Sequence, residues 1–398
     1  MLVAGTLLIV RCTLERRIPI KRDTLNLAIL IWMIASTGRL YFDVRTYGAM
    51  ALRDYAMVYY GAFFYLGQYV GERPAGRRFV AGSLFVACTL VALLFPLFVR
   101  YPEFFLEPLS IGGVPVIYFK GDLAGTFLGV GAVLYYVRYE ARHSWISLIV
   151  SLALAAGTLL TQNRASMLGL VIVTGILALA KRWRFAAAQL VGSAIVAIAI
   201  LFIAYVRHDS WHDTPLYGIY ERAASILDPY GKHTYAADAE DKADNNLFRV
   251  VWWRSVFDDT VQNAPLTGRG YGYDLAERFV QEYFPDGGDD FNARSPHNVM
   301  LTVFARTGLT GFLPFLAIII LLFVQTIRAC RSDLAGAGLW LAGCTIFISA
   351  CFGVVLEGPM GAVVFWSILG IANANRLKPA DAPDEPTVSE SPAESATA

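Results

Sequence analysis

Apolar runs separated by short, arginine- and lysine-bearing turns fill most of the chain. Runs of membrane-spanning length, about 20 residues with shorter ones tolerated, recur near 24–38, 52–70, 79–99, 120–137, 144–160, 165–180, 185–206, 308–327, 334–355 and 358–374. Residues 1–10 read as the end of one more span. The pattern predicts an all-α polytopic membrane protein with about eleven transmembrane helices, some of them short. One interruption stands out. Residues 207–297 form a polar stretch with nine Lys/Arg against sixteen Asp/Glu, net −7. A loop of that length is functional or a small domain. Its apolar periodicity predicts helices near 216–228, 245–262 and 274–283. The central one carries Leu247, Val250, Val251, Phe257 and Val261 on one face, with Arg254 in the middle of that stripe. Arg249 lies on another face with Trp252, Val256 and Trp253. A helix apolar on two sides is expected between the membrane surface and another element.

Composition sharpens this picture. Hydrophobic residues make up 56% of the 398 and charged residues 16%, with a mean hydropathy of +0.50, whereas soluble domains are nearer about one quarter charged. A formal charge of +1 gives no electrostatic reason to expect nucleic acid. Basic clusters at Arg11/Arg16/Arg17/Lys21/Arg22, Arg73/Arg77/Arg78, Arg138/Arg142, Lys181/Arg182/Arg184, Arg328/Arg331 and Arg376/Lys378 all fall on one side when the spans are walked. That side is expected to be cytoplasmic. The large loop, the loops near 39–51 and 100–119, the 161–164 turn and Glu357 then share the periplasmic face of a bacterial inner membrane. The division is 1–206 and 298–376 as transmembrane regions, 207–297 as the periplasmic loop domain, and 377–398 as a disordered cytoplasmic tail. The five cysteines lie in apolar segments or beside basic turns, so neither a disulfide nor a zinc site is expected. No cleavable signal peptide is evident, and a start inside an apolar run suggests an incomplete beginning. No internal repeat of a transporter type is found.

Chemistry gathers at the loop's end. In Ser295-Pro296-His297-Asn298, Ser295 reads as an N-cap and Pro296 as the first helical residue, placing His297 and Asn298 in the first turn. The dipole there favours an anion and disfavours an imidazolium, so His297 is expected to be neutral and able to accept a proton. The alternative is a capped interfacial helix whose histidine bonds to backbone. Arg164, in the tight turn Thr161-Gln162-Asn163-Arg164, sits near lipid at a cost that reaches roughly 2.5–3.5 kcal/mol at the bilayer centre. It is either a phosphate ligand or a side chain snorkelling to head groups. Arg249 and Arg254 are phosphate candidates or stack on tryptophan. Arg53-Asp54 reads as an ion pair at a span's start, and Glu357 as a second acid or a helix cap. Gly268-Arg-Gly-Tyr-Gly272 follows no strand and reads as a turn. Asp258-Asp259 and Asp289-Asp290 lack further ligands at a helpful spacing, so no metal is expected.

These motifs together resemble the O-antigen ligase and polymerase superfamily of bacterial envelope glycosyltransferases. The family's H-N-x9-G-x-x-G signature is matched by His297, Asn298, Gly308 and Gly311. Its upstream Arg, Trp-Arg and Pro-Leu-x-Gly-x-Gly pattern is matched by Arg249, Trp253, Arg254, Pro265, Leu266, Gly268 and Gly270. Its Thr-x-Ser-Arg turn is matched by Thr161 and Arg164, with Asn163 in place of the usual serine. The resemblance is dense over 160–375 and weak before it, where Lys120-Gly-Asp122-Leu-Ala-Gly alone echoes an Asn-rich family element. It implies a glycan donor on undecaprenyl diphosphate, an acceptor on lipid A-core or a second lipid-linked glycan, and no cofactor. It further implies His297 with Arg249 or Arg254 as catalytic residues and Arg164 and Asn298 as substrate-binding ones, to which Arg53 and Glu357 are added as substrate-binding candidates from their positions. Ligase is the leading reading and a polymerase of O-antigen, capsule or exopolysaccharide the alternative. A transporter with an arginine-lined anion path is the alternative of another class.

Overall fold

The computed structural model describes residues 20–111, 114–207, 210–228, 237–284 and 293–377. The half-span at 1–10, the Asp289-Asp290 pair and the tail from Lys378 lie outside these residues. The transmembrane part before the loop holds α1 (Thr24–Tyr47), α2 (Ala49–Tyr59), α3 (Ala62–Gly71), α4 (Pro74–Arg100), α5 (Pro102–Leu106), α6 (Gly121–Arg142), α7 (Trp145–Leu160), α8 (Arg164–Leu179) and α9 (Trp183–Arg207). The loop domain follows with α10 (Pro215–Leu227), α11 (Ala237–Asn263) and α12 (Glu277–Tyr283). The chain closes with α13 (Val299–Ser332), α14 (Leu334–Ala350) and α15 (Pro359–Arg376). A two-stranded antiparallel ribbon, β1 (Ser110–Ile111) with β2 (Val114–Pro115), is the sheet among the described residues. The all-α membrane architecture expected from the apolar pattern is therefore present.

Among the described residues, four helices, α1, α4, α9 and α13, are long and apolar enough to cross a membrane by themselves. Helices α7, α8 and α14 are apolar but shorter, so the count of eleven is not reached by that criterion. The run at 52–70 is broken at Tyr60–Gly61 into α2 and α3, where Gly61 lies against the Trp32 ring. Packing concentrates around α6, α13, α14 and α15, and α1 joins them through aromatic contacts. The Trp32 ring lies 5.2 Å from Phe315 and 5.4 Å from Trp366. In lipid, helices are held mainly by close van der Waals fit, which small residues permit. Helices α3 and α15 show this: a Cβ on Gly67 would fall 2.2 Å from the Ser367 carbonyl oxygen, and one on Gly370 2.0 Å from that of Phe64. Helices α4 and α9 form the periphery, with Phe79 and Leu190 both 74% exposed, as lipid-facing side chains should be.

Contacts at the helix ends tie several of the basic turns to one another. The N-cap of α1, Asp23, accepts from Asn373 Nδ2 and Arg376 Nη2 of α15 at 3.2 Å each, while Gln68 of α3 bridges Asn26 and Asn373. Lys21 pairs with Glu72, the neighbour of Arg73. Arg182 donates to the Cys330 carbonyl at 3.2 Å. The turns at 21–22, 72–78 and 376 thus gather at one end, and those at 181–184 and 328–331 meet each other.

In the loop domain, α11 begins eight residues earlier than the periodicity indicated, at Ala237 rather than 245. Trp252 and Val256 build a small core with Leu275, Ala276 and Phe279. The opposite stripe, Leu247, Val251, Phe257 and Val261, is 36–50% exposed. The helix therefore has a protein partner on one side, and its other side is largely exposed, with the Phe257 ring 5.6 Å from Phe304. This domain is locked to α13 by two tight turns. Helix α13 breaks at Gly308, whose φ of 58° and ψ of −160° are non-helical and which L side chains rarely adopt. The break receives the Pro265–Gly270 turn: Leu309 and Thr310 N–H donate to the Pro265 and Leu266 carbonyls, and Arg269 and Gly270 N–H to those of Ala305 and Arg306. A Cβ on Gly268 or Gly308 would come within 2.4 Å of the facing backbone. Gly268 and Gly308 are consequences of this backbone-to-backbone seat, whereas Gly270 faces the Asp43 carboxylate and Gly311 the Thr307 side chain.

Candidate functional site

The nine residues between His297-Asn298 and Gly308 are the first segment of α13, 299–307, about 13 Å of helix. The spacing of the motif is therefore the length of a short helix with a cap at one end and a break at the other. The cap differs from the sequence expectation. Asn298 is the N-cap, its side-chain oxygen accepting from Met300 and Leu301 N–H at 3.1 and 3.2 Å. Ser295 is engaged elsewhere, donating to Glu357 Oε1 at 2.5 Å. The Pro296 carbonyl accepts from Trp253 Nε1 at 2.7 Å. His297 consequently precedes the helix instead of sitting in its first turn, with a left-handed φ of 54°. That backbone is uncommon for a non-glycine residue and persists where surroundings impose it. The imidazole lies 5.8 Å from the Trp252 ring. Burial, then the charges of Arg249 and Lys120, push its pKa below the usual imidazole value, with Asp122 opposing. A neutral imidazole thus has a cause, but the cause is burial and two cations, not the helix dipole.

His297 forms one wall of a cavity of about 600 Å³. Arg164, Arg249, Lys120 and Arg222 line the same space, with Asp122 as a carboxylate. Arg249 and Trp253 are four residues apart and so share a face of α11. Arg249 donates from Nη1 to the Phe352 carbonyl at 3.0 Å, and Trp253 packs on the Phe352 ring at 6.1 Å. Burial lowers the Arg249 pKa and Asp122 partly restores it. Arg164 is the first residue of α8, placed by its neighbour Asn163, which caps that helix by accepting from Ser166 N–H at 3.0 Å. Asparagine and serine are equivalent caps. The departure from the family's usual serine is therefore neutral in function of the turn.

The remaining candidates divide. Arg254 is 83% exposed and faces Asp258 at 3.6 Å, so the structure does not bring it to the cavity; one step along a helix rotates a side chain about 100°. Arg53 is more than half exposed and pairs with Asp54 at 3.3 Å, as read. Glu357 is not a free acid: it accepts from Ser295 and from Thr302 at 3.1 Å, and burial raises its pKa while both hydrogen bonds oppose this. Asp258 and Asp259 are ion-pair partners of Arg254 and Arg269. Three cations escaped the sequence reading. Lys120 was visible only within a weak motif, and Arg222 as one charge among many. Arg306 is fully buried, paired with Asp54 at 2.8 Å and donating to the Gly270 and Tyr273 carbonyls. An arginine inside an otherwise apolar short helix was the available signal for it.

Residues 146–316 match the family model for O-antigen ligase. No curated protein matches the chain. The matched segment runs from α7 to the first turns after the Gly308 break and contains Arg164, Arg222, Arg249 and His297. This segment, which supplies His297 and three of the cavity's cations, is thus similar to the O-antigen ligase family.

Proposed function

We propose that the protein transfers a glycan from undecaprenyl diphosphate to an acceptor hydroxyl on the periplasmic face of the inner membrane, with inversion and without a metal. The observation that carries this is the convergence of Arg164, Arg249, Lys120 and Arg222, from four separate segments, on one cavity walled by His297. Departure of a lipid diphosphate places negative charge on phosphate oxygens. Arginine forks match that geometry and keep their charge, so the cations supply what a metal would otherwise supply. His297, kept neutral, accepts the acceptor O–H proton as that oxygen bonds the anomeric carbon. The bond from that carbon to the diphosphate oxygen breaks, and its electron pair leaves with the diphosphate. A positioned base contributes about 10²–10⁴ in rate. Basic turns gathered away from the cavity support the periplasmic placement.

A ligase hands the glycan to lipid A-core, and a polymerase hands it to a second lipid-linked glycan. Both use this chemistry. The test is a reconstituted assay in liposomes with an undecaprenyl-diphosphate oligosaccharide. Wild type should lengthen or transfer the glycan, and His297→Ala should abolish product while remaining folded in the membrane. Normal product from that variant would refute the base assignment.

A further inference from the structure

The His297 imidazole borders two hollows. The second, of about 290 Å³, has only His297 and Val354 in common with the cationic cavity. Arg53, Asp54, Ser295, Thr302, Arg306 and Glu357 line it. Its charges are spent on one another: Asp54 holds Arg306 and Arg53, and Glu357 holds Ser295 and Thr302. The result is an array of donors beside acceptors in which two carboxylates face three guanidinium groups, less one-sided than the cationic cavity, where one carboxylate faces four cations. Sugar hydroxyls, which donate and accept at once, suit such an array. Arg294 also lines this chamber, fixed by Asp274 at 3.0 Å and the Gly272 carbonyl at 2.7 Å. It is shared with an open cleft of about 610 Å³ bordered by Tyr47, Tyr273, Glu277 and Gln281. Aromatic rings offer an amphipathic surface for the apolar face of a pyranose, and carboxylate and amide groups hydrogen-bond its rim.

We propose that cleft and chamber together are the acceptor subsite: a neutral, hydroxyl-rich oligosaccharide lies along the cleft and presents its terminal hydroxyl through the chamber to His297. This rests on the glycosyl-transfer reading and adds where the acceptor binds. Inversion requires the attacking oxygen to approach the anomeric carbon opposite the departing diphosphate. A chamber that shares only His297 and Val354 with the cationic cavity lets the acceptor arrive by a side other than the one that holds the diphosphate.

The probe is the oligosaccharide released by mild acid from the lipid-linked glycan of the cell that makes the protein. Saturation-transfer NMR with His297→Ala protein in nanodiscs reads binding without turnover. Binding is expected, and adding Glu277→Gln and Gln281→Ala, both on the exposed side of α12, should weaken it at least tenfold with unchanged thermal unfolding. In the liposome assay the same two substitutions in the wild-type background should raise the acceptor KM at least tenfold, leaving kcat and donor KM within twofold. A rise in donor KM instead, an unchanged acceptor KM, or no oligosaccharide binding would overturn the assignment. Cleft-dependent binding with no transfer by wild type would overturn the proposed chemistry and leave the glycan site standing.

Discussion

Replacing Arg249 tests two roles of one guanidinium. Of its five N–H donors, one is given to the Phe352 carbonyl, and the other four have no hydrogen-bond acceptor among the described residues. A half-buried, prearranged fork of this kind is typically worth 10²–10³ in rate, roughly 2.7–4 kcal/mol of transition-state stabilisation. Arg249→Gln should lose about that much kcat/KM. Arg249→Lys keeps the charge and loses the fork, so it should fall between, about 10–100-fold below wild type. The second role is electrostatic. Arg249 is the first-ranking charge that depresses His297, and a base must be unprotonated to work. In wild type, activity should therefore persist as pH falls below about 6.5 and fade only through the lowered imidazole pKa. In Arg249→Gln the acid limb should move to higher pH, and in Arg249→Lys it should stay near its wild-type position. The assay is transfer from a lipid-diphosphate oligosaccharide in liposomes, followed across pH 4.5–8. Activity of the Gln variant within threefold of wild type would refute the phosphate role. An unmoved acid limb in that variant would refute the electrostatic one.

Arg164→Lys should cut turnover at least tenfold because a point charge does not reproduce the fork; unchanged turnover would mark Arg164 as a lipid anchor. Transfer should persist in excess EDTA, and reversible loss on chelation would show that a metal takes part. Gly308→Ala should destabilise by about 2–5 kcal/mol, from a left-handed alanine and strained hydrogen bonds to the 265–266 carbonyls, read as a lower unfolding midpoint in detergent. For Glu357 the folded pKa is raised by burial, so the native state holds its proton longer than the unfolded chain. Stability from this group falls as pH rises above about 4.5, and Glu357→Gln should flatten that part of the stability–pH curve; an unchanged slope would contradict the burial.

Much of the architecture was legible because lipid imposes it. Apolar runs and the one polar loop located every long helix, and the loop's three helices lie near their expected positions. What failed were statements needing a partner's identity. Leu247, Val251, Phe257 and Val261 form an apolar stripe as clear as the Trp252 face, yet only the latter packs on α12 and the 275–276 turn. Periodicity reports that a face is apolar and not what covers it. Likewise, the break at Tyr60–Gly61 arises where the chain passes the Trp32 ring, a contact between positions far apart in sequence.

The site was legible in composition and illegible in geometry. Each of Arg164, Arg249 and His297 could be named from local spacing, since each sits at a helix end or on a helix face that its neighbours define. Arg254 looked as good as Arg249 in sequence, five residues further along. Choosing between them needs the rotation of α11, which Trp253 fixes by bonding the Pro296 carbonyl. The same bond holds the segment carrying His297, so one tryptophan sets both the arginine's direction and the histidine's place. Helix dipole reasoning put His297 in a first turn, but Glu357 draws Ser295 away and shifts the cap to Asn298. A carboxylate sixty-two residues downstream thus decides where the helix starts. Local capping rules are blind to such a competitor, and the imidazole's left-handed backbone records which interaction won.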